Sequence, residues 1–412
     1  IIQSMPDMSP PPLRIGFNAA LYSPTRDFRA AGVHRYIVAL LDAVGQLEDL
    51  RVTAFVPGAA RTQAQSRWPG FAIRTAPRIA ERPLGRILWE QLVLPVALRR
   101  AAVDVYHGAA YALPLASRTP AVVTVHDLSF FRLPETFPRA QGAYLRAATR
   151  RAVRRAAALI AVSEFTRREL IELVGADPAR VFSVANGCDP ACRVLPADAV
   201  EAWRDRTGLP ERFILTVGTL QPRKNLGTLI DAYARLRGQD PAAPDLVIAG
   251  AAGWGDEDLA ARTRALGIAE QVRFTGYVPG EDLPLLYNAA TLFAYPSRYE
   301  GFGLPVIEAM ACGTPVVLAA ASSLPEVAGG AGLAVDPDDC EAWAGALAAL
   351  LADPDRRAAM STAGLARAAR FTWDRAARET VAVYRRAHAG GAGVAAAGRL
   401  ETADGRLEAA DG

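Results

Sequence analysis

The sequence predicts an α/β protein built as two Rossmann-like domains facing each other across a cleft. Three observations carry this. Short, nearly continuous apolar runs alternate with longer amphipathic segments, as parallel strands buried on both faces alternate with crossover helices. The alternation comes in two series, separated by a polar stretch near 196–210. Chemistry-bearing residues follow directly after several apolar runs, at the carboxyl ends of strands where open α/β sheets take ligands.

Residues 1–12 (IIQSMPDMSPPP) read as a leader, without the basic start and apolar centre of a signal peptide. The N-terminal domain, 13–200, has strands expected at 13–17 (LRIGF), 51–56, 104–107, 121–126, 159–162 and 181–184. Helical periodicity fills 33–44, 84–100 and 144–157 between them. The C-terminal domain, 208–372, repeats the scheme with strands at 213–217 (FILTV), 246–249, 272–275, 292–294 and 315–318. Helices are expected there at 226–236 and 305–311, and residues 373–387 form a closing helix packing back toward the N-terminal domain. From 388 the chain turns small and repetitive (HAGGAGVAAAGRL), so 388–412 reads as a mobile tail.

The chain has 412 residues, long enough for two or three domains, and its 51% hydrophobic content excludes a disordered protein. Lys+Arg 46 against Asp+Glu 43 is too balanced for a dedicated nucleic-acid binder. The 4 Cys cannot staple so long a chain, and no His stands at metal-ligand spacing from Cys188 and Cys192. Free thiols in a reducing, cytoplasmic setting follow, and no metal site is expected. No stretch reads as about 18 uninterrupted apolar residues, so no membrane-spanning helix is expected.

The most informative segment is YPSRYEGFGLPVIEAMACGTPVV, residues 295–317. Gly301 and Gly303 bracket Phe302 just before a helix beginning near Leu304 or Pro305. Glycines let backbone approach a ligand, and the helix N-terminus offers N–H groups to an anion. Glu300 precedes the turn and Glu308 lies inside the helix; a carboxylate accepts two hydrogen bonds side by side, as a sugar diol requires. Either glutamate alone reads better as a solvated surface residue; the whole string does not.

A second element, GTLQPRKNL, follows the apolar run 213–217. Gly218 opens it, and Arg223 and Lys224 stand at the mouth of the next helix, where paired cations can neutralise a diphosphate. It is not a P-loop, because no G-x-x-x-x-G-K-[ST] occurs. A third, VVTVHDLSFF, ends a buried strand on His126 and Asp127. His126 is a candidate for a polar role in the cleft and equally for a satisfied core histidine. His107, ending the preceding strand, is a weaker candidate for the same cleft. Gly32 either touches a phosphate or acceptor or simply starts the first long helix. Arg150, Arg151, Arg154 and Arg155 share one helical face, suited to anionic lipid headgroups, to a pyrophosphate-bearing acceptor, or to water.

Together these strings resemble the retaining glycosyltransferase family 4, of the GT-B fold. The likeness rests on E-x7-E (Glu300 to Glu308), EGFGLP, PRKN, VHDL, AVSEFT and VANGCDP, and runs from about residue 13 to 388. It implies an N-terminal domain for the acceptor and a C-terminal domain for a nucleotide-sugar donor. By matching position, Glu308 would hold the ribose hydroxyls and Glu300 the donor sugar hydroxyls, with the Phe302–Leu304 backbone beside sugar and phosphate. Arg223 and Lys224 would neutralise the diphosphate, and His126 would touch the transferred sugar. Gly32, Asp127 and His107 would serve acceptor or phosphate. Thr219 stands where the family often has a further arginine, and Gly-Val-His-Arg-Tyr replaces a glycine pair.

The resemblance implies a retaining, metal-independent transfer of a hexose, first mannose from GDP-mannose, to a glycan or polyprenyl-linked glycan in surface-polysaccharide assembly. No cofactor is expected. Peripheral contact with the cytoplasmic face of the inner membrane is a further expectation. A GT-B nucleotide-sugar epimerase and a catalytically silent scaffold are the competing readings. A hydrolase dyad is excluded, because eight helical positions span about 12 Å and a retaining pair needs about 5 to 5.5 Å.

Overall fold

The computed structural model describes residues 11–23, 32–111, 113–253 and 258–404, the last of these without side chains from 391 onward. The expected leader therefore lies outside the described residues up to residue 10, and the expected tail from 405. Two parallel sheets organise the chain. The first contains β1 (Leu13–Asn18), β2 (Leu50–Pro57), β3 (Ala72–Ala76), β4 (Val105–Gly108), β5 (Ala121–Val125), β6 (Ala158–Ala161) and β7 (Val181–Ser183). Their order is β3-β2-β1-β4-β5-β6-β7. The second contains β8 (Phe213–Val217), β9 (Asp245–Ala249), β10 (Val272–Gly276), β11 (Leu292–Tyr295), β12 (Val316–Ala319) and β13 (Leu333–Val335), ordered β10-β9-β8-β11-β12-β13.

Each sheet reverses its direction of growth beside its first strand, between β1 and β4 and between β8 and β11. Such a reversal splays the flanking crossover helices and leaves a crevice at the carboxyl ends. The central strands are apolar on both faces: β5 (AVVTV) and β11 (LFAY) are buried throughout. β3 and β13 escape a reading based on apolar runs. β3 (AIRTA) is an edge strand with most residues exposed, and β13 has three residues in a Gly/Ala-rich surround.

The helix expected at 84–100 is three pieces: Pro83–Leu88, a π turn over Trp89–Val93, and Leu94–Arg100. Pro95 has no N–H to give to Gln91, so the hydrogen-bond ladder is rebuilt upstream with a wider turn. The polar stretch near 196–210 holds a helix, Ala197–Thr207, whose Trp203 joins the C-terminal core and donates Nε1–H to Asp282 at 3.1 Å. Among the described residues no helix is long and apolar enough to cross a membrane.

The chain crosses between domains twice. It leaves the N-terminal sheet after β7 and returns through Phe371 into helix Trp373–Asp404, which runs beyond residue 388. The two crossings touch, with Cys188 N–H donating to Phe371 O at 2.9 Å. Gly187 permits this, since a Cβ there would sit 2.3 Å from Trp373 N. Ala376, Val381, Val383 and Tyr384 then bury against β1, β4, β5 and β6 residues Ile15, Val105, Val122 and Ile160. Tyr384 is fully buried and its hydroxyl meets His107 Nδ1 at 2.5 Å. Tyr384→Ala should therefore cost about 3–5 kcal/mol of stability, and Tyr384→Phe only about 1 kcal/mol. Urea denaturation checks this; an unchanged midpoint for Tyr384→Ala would remove the returning helix from the N-terminal core.

Candidate active site

A cleft of about 600 Å³ opens between the carboxyl ends of the two sheets. His126, Asp127, Gly32, Arg35 and Asn186 line its N-terminal side, and Gly218, Arg223, Lys224, Glu308 and the Glu300–Leu304 turn its C-terminal side.

PRKN forms a tight turn, Pro222–Lys224, directly after β8. Asn225 ends it at φ 56°, a left-handed conformation that Asn tolerates. Its Nδ2 donates to Pro337 O at 2.6 Å, which fixes the turn and sends Lys224 inward. Lys224 Nζ donates to Glu300 Oε1 and to Tyr295 OH, both at 2.6 Å. Tyr295 OH (3.0 Å) and Ser297 Oγ (2.6 Å) donate to the same oxygen, while Arg223 Nη1 reaches Glu300 Oε2 at 3.0 Å. One carboxylate thus holds two cations, and the group carries a net positive charge.

Burial works against all three charges. It would raise the Glu300 carboxyl, but Arg223 and Lys224 overcome it and hold the group at about 2. Burial lowers Lys224 to about 8, with Glu300 opposing the fall and Arg223 adding to it. Arg223 lies above its ordinary value despite burial, through Glu300 and Asp127. Glu300 Oε1 already accepts three donors, so Oε2 alone keeps room for a sugar hydroxyl. The carboxylate expected to meet sugar hydroxyls is thus also the anchor for the two cations.

The EGFG turn is held from both domains: Ser323 Oγ donates to Glu300 O and Phe302 O at 2.9 Å from its own side, and the opposite domain meets it at Gly301. A Cβ on Gly301 would lie 1.6 Å from His126 O, so only glycine lets the two backbones meet. Ser163 Oγ and Thr166 Oγ1 donate to Gly301 O at 2.6 and 3.1 Å. The AVSEFT string therefore acts on the C-terminal loop from helix Glu164–Val174. Glu326 completes the contact by accepting from Glu164 N and Phe165 N at 2.8 and 2.9 Å. Gly303 caps helix Leu304–Ala311, whose N-terminus opens on the cleft.

Glu308 is 1% exposed, and its pKa is raised by burial although Arg35 and Tyr287 both bond it. Arg35 reaches across the cleft from helix Val33–Val44 to Oε1, and Tyr287 OH donates to Oε2 at 3.0 Å. Arg35 is a cleft residue the sequence reading passed over, though it lies in the first turn of a helix whose start faces the cleft. Asn186 of VANGCDP was also missed as an individual: it is 5% exposed, lines the cleft, and its Oδ1 has no hydrogen-bond partner among the described residues.

His126 Nε2–H donates to Ala109 O at 2.7 Å, and burial lowers its pKa against the opposing pull of Ala109 O and Asp127, which favours the neutral ring. Tyr36 packs edge-on against it at 4.7 Å. Asp127 lies beside it and accepts from Ser129 N and Oγ at 3.0 and 2.7 Å. Gly32 lines the cleft and stands at the N-terminus of helix Val33–Val44. His107 does not. It is fully buried, bonded to Tyr384 and to Thr124 Oγ1 at 2.8 Å, with its pKa lowered to about 3 by burial. Its place is the N-terminal core, because β4 ends there under the returning helix.

The family model for Glycosyltransferase Family 4 matches residues 30–191, and that for Glycosyl transferases group 1 matches 200–367. The O-antigen chain mannosyltransferase B of Escherichia coli is 36% identical over 291 residues, 70% of this chain and 76% of that protein. A D-inositol 3-phosphate glycosyltransferase of Salinispora tropica is 42% identical over 245 residues, of which the match spans 50% of its length. Among solved structures, sucrose-phosphate synthase from Thermosynechococcus elongatus superposes with TM-score 0.74 at 24% identity, covering 92% of this chain and 100% of that one. WaaG, a glycosyltransferase involved in lipopolysaccharide biosynthesis, gives 0.66 at 18% identity, covering 86% and 95%. The chain belongs to glycosyltransferase family 4 and is a transferase of the GT-B fold.

Proposed function

We propose that the protein moves a hexose, with retention of configuration and without a metal, from a nucleoside diphosphate sugar to a glycan or polyprenyl-linked glycan. The observation that carries this is the buried Arg223–Lys224–Glu300 group at the mouth of the cleft. Its surplus positive charge suits a diphosphate, which two fixed cations can stabilise as it leaves. Mannose from GDP-mannose is the first donor, on the strength of the mannosyltransferase relative at 36% identity. The free Cys188, Cys192, Cys312 and Cys340 support a reducing, cytoplasmic setting.

In the proposed step the sugar C1–O bond breaks with its electron pair going to the diphosphate. The acceptor hydroxyl bonds C1 on the same face and gives its proton to the departing phosphate oxygen. Arg223 and Lys224 hold that leaving group, and Glu308 holds the ribose once Arg35 yields it. Asn186 offers an unmet acceptor to a substrate hydroxyl. His126 touches the sugar as a neutral ring; its Nε2 proton is committed to Ala109 and is not relayed. Tyr111, Phe130, Phe137 and Leu145 give the N-terminal side an apolar wall for the acceptor.

Calorimetry with GDP, UDP, dTDP and ADP tests the reading: one nucleotide should bind selectively, and binding of none would favour a silent scaffold. Lys224→Ala should raise donor KM and lower kcat by about tenfold or more; unchanged kinetics would remove Lys224 from the site. A pH profile gives an independent check. Lys224 loses its charge as pH rises through about 8, so donor kcat/KM, which reports the free enzyme, should fall above that pH. Lys224→Arg should abolish that alkaline limb; a limb unchanged by it belongs to another group.

A further inference from the structure

We infer that Glu169 and Tyr299 are positioning residues for the transfer, carrying the placement of segment 126–132 across the domain boundary to Arg223. The inference rests on the reading of Arg223 as a cation of the diphosphate site. Tyr299 directly precedes Glu300 and is 5% exposed. Its two polar ends face opposite domains. At the backbone end, Tyr299 O accepts from Arg223 Nη1 at 2.9 Å, and the preceding amide, Arg298 N–H, donates to Arg223 O at 2.9 Å. Residues 298 and 299 thus clasp Arg223 by its main chain and by its guanidinium. At the ring end, the hydroxyl lies against the N-terminal domain, where it donates to Glu169 Oε2 and accepts from Leu128 N–H at 3.2 Å.

The N-terminal partners are themselves fixed. Glu169, 3% exposed on helix Glu164–Val174, accepts from Arg132 Nε through Oε1 at 2.6 Å. Phe165, one turn earlier on that helix, packs edge-on against the Tyr299 ring at 5.7 Å. Burial and the neighbouring carboxylate raise the pKa of the Tyr299 hydroxyl, so it stays protonated and donates. A continuous line of bonds therefore runs from Arg132 through Glu169 and Tyr299 to Arg223. Its N-terminal end adjoins the acceptor side of the cleft. Leu128 and Arg132 belong to the same short segment as His126, Asp127, Ser129 and Phe130, and those four line the cleft. A molecule seated against this segment sets the two groups that hold Tyr299 and Glu169.

Adhesion between the domains does not account for this line. A buried carboxylate is a weak source of stability, because desolvation offsets its bonds. The same interface already has neutral contacts at Gly301 and an exposed one at Glu326. Glu169 adds direction instead. Its two oxygens fix the reach of the Tyr299 ring and, through the Tyr299 carbonyl, the angle of the Arg223 fork. That angle matters most as charge develops on the departing diphosphate, where a preoriented cation acts without having to turn.

The test uses the full chain with GDP-mannose and UDP-glucose as probe donors and water as acceptor, followed as release of GDP or UDP. Calorimetry with the released nucleotide runs beside it. Tyr299→Phe keeps the ring on Phe165 and removes the hydroxyl. It should lower kcat about tenfold, while donor KM and nucleotide affinity change less than about threefold, because both cations stay in the cleft. Arg223→Ala should lose more, and the double variant should be no slower than Arg223→Ala alone, since the hydroxyl acts through that guanidinium. Glu169→Gln, which keeps the length of the side chain, should lose less than Glu169→Ala. Tyr299→Phe kinetics equal to the parent's, or losses that multiply in the double variant, overturn the inference and leave the transferase reading standing. Equal falls in nucleotide affinity and kcat also overturn it, since they mark a loosened interface. A parent that releases neither nucleotide, or an Arg223→Ala variant equal to it, removes the diphosphate reading and this inference together.

Discussion

A carboxylate that neutralises two buried cations must itself be held, and in this protein the holding comes from both domains: Ser322 and Ser323 bond the Glu300 backbone from its own side. Glu300 sits in a loop whose next residue, Gly301, rests on the His126 carbonyl and gives its own carbonyl to Ser163 and Thr166. Burying a charge is tolerable only where opposite charge and hydrogen bonds replace water. Arg223, Lys224, Tyr295 and Ser297 supply both, and each has its position only because β8 and β11 end side by side. Both domains shape the group: the C-terminal sheet provides the charges, and the N-terminal domain provides a wall against the loop that carries Glu300.

The same principle explains which residues were legible in the sequence. PRKN and EGFGLP announce themselves, because a turn after an apolar run needs Pro, Asn and Gly at fixed offsets and the cations ride on that turn. The two-domain α/β architecture is legible for a similar reason, since central strands such as β5 and β11 are apolar on both faces. What was hidden depends on partners far away in the chain. Arg35 gains its meaning from Glu308, 273 positions later. His107 looked like a cleft residue because the strand expected at 104–107 ends on it, and only the returning helix shows that Tyr384 closes over it. Glu300 invited a sugar contact by its type; its four donors were invisible without the fold. β3 and β13 were lost because an edge strand and a three-residue strand leave no apolar run to read.

The leucines of 79–93 illustrate the opposite failure. Their helical spacing was read correctly as amphipathic, yet periodicity alone does not say which face meets the core. Trp89, Leu94 and Leu98 claim the interior, and Pro95 forces the π turn between them. An equally apolar face is then left outside.

The paired crossings at Gly187–Cys188 and Phe371–Trp373 have a mechanical meaning. A single linker would let one domain swivel about it in any direction. Two strands lying side by side and hydrogen-bonded at one point act as a strap, which bends along one line and resists torsion. Bending of one domain against the other is thereby favoured along a single line, with its axis at the strap. The final helix also makes the C-terminal domain a topological insertion. Trimming the chain from its end strips the N-terminal core first, and the half that carries the cations last.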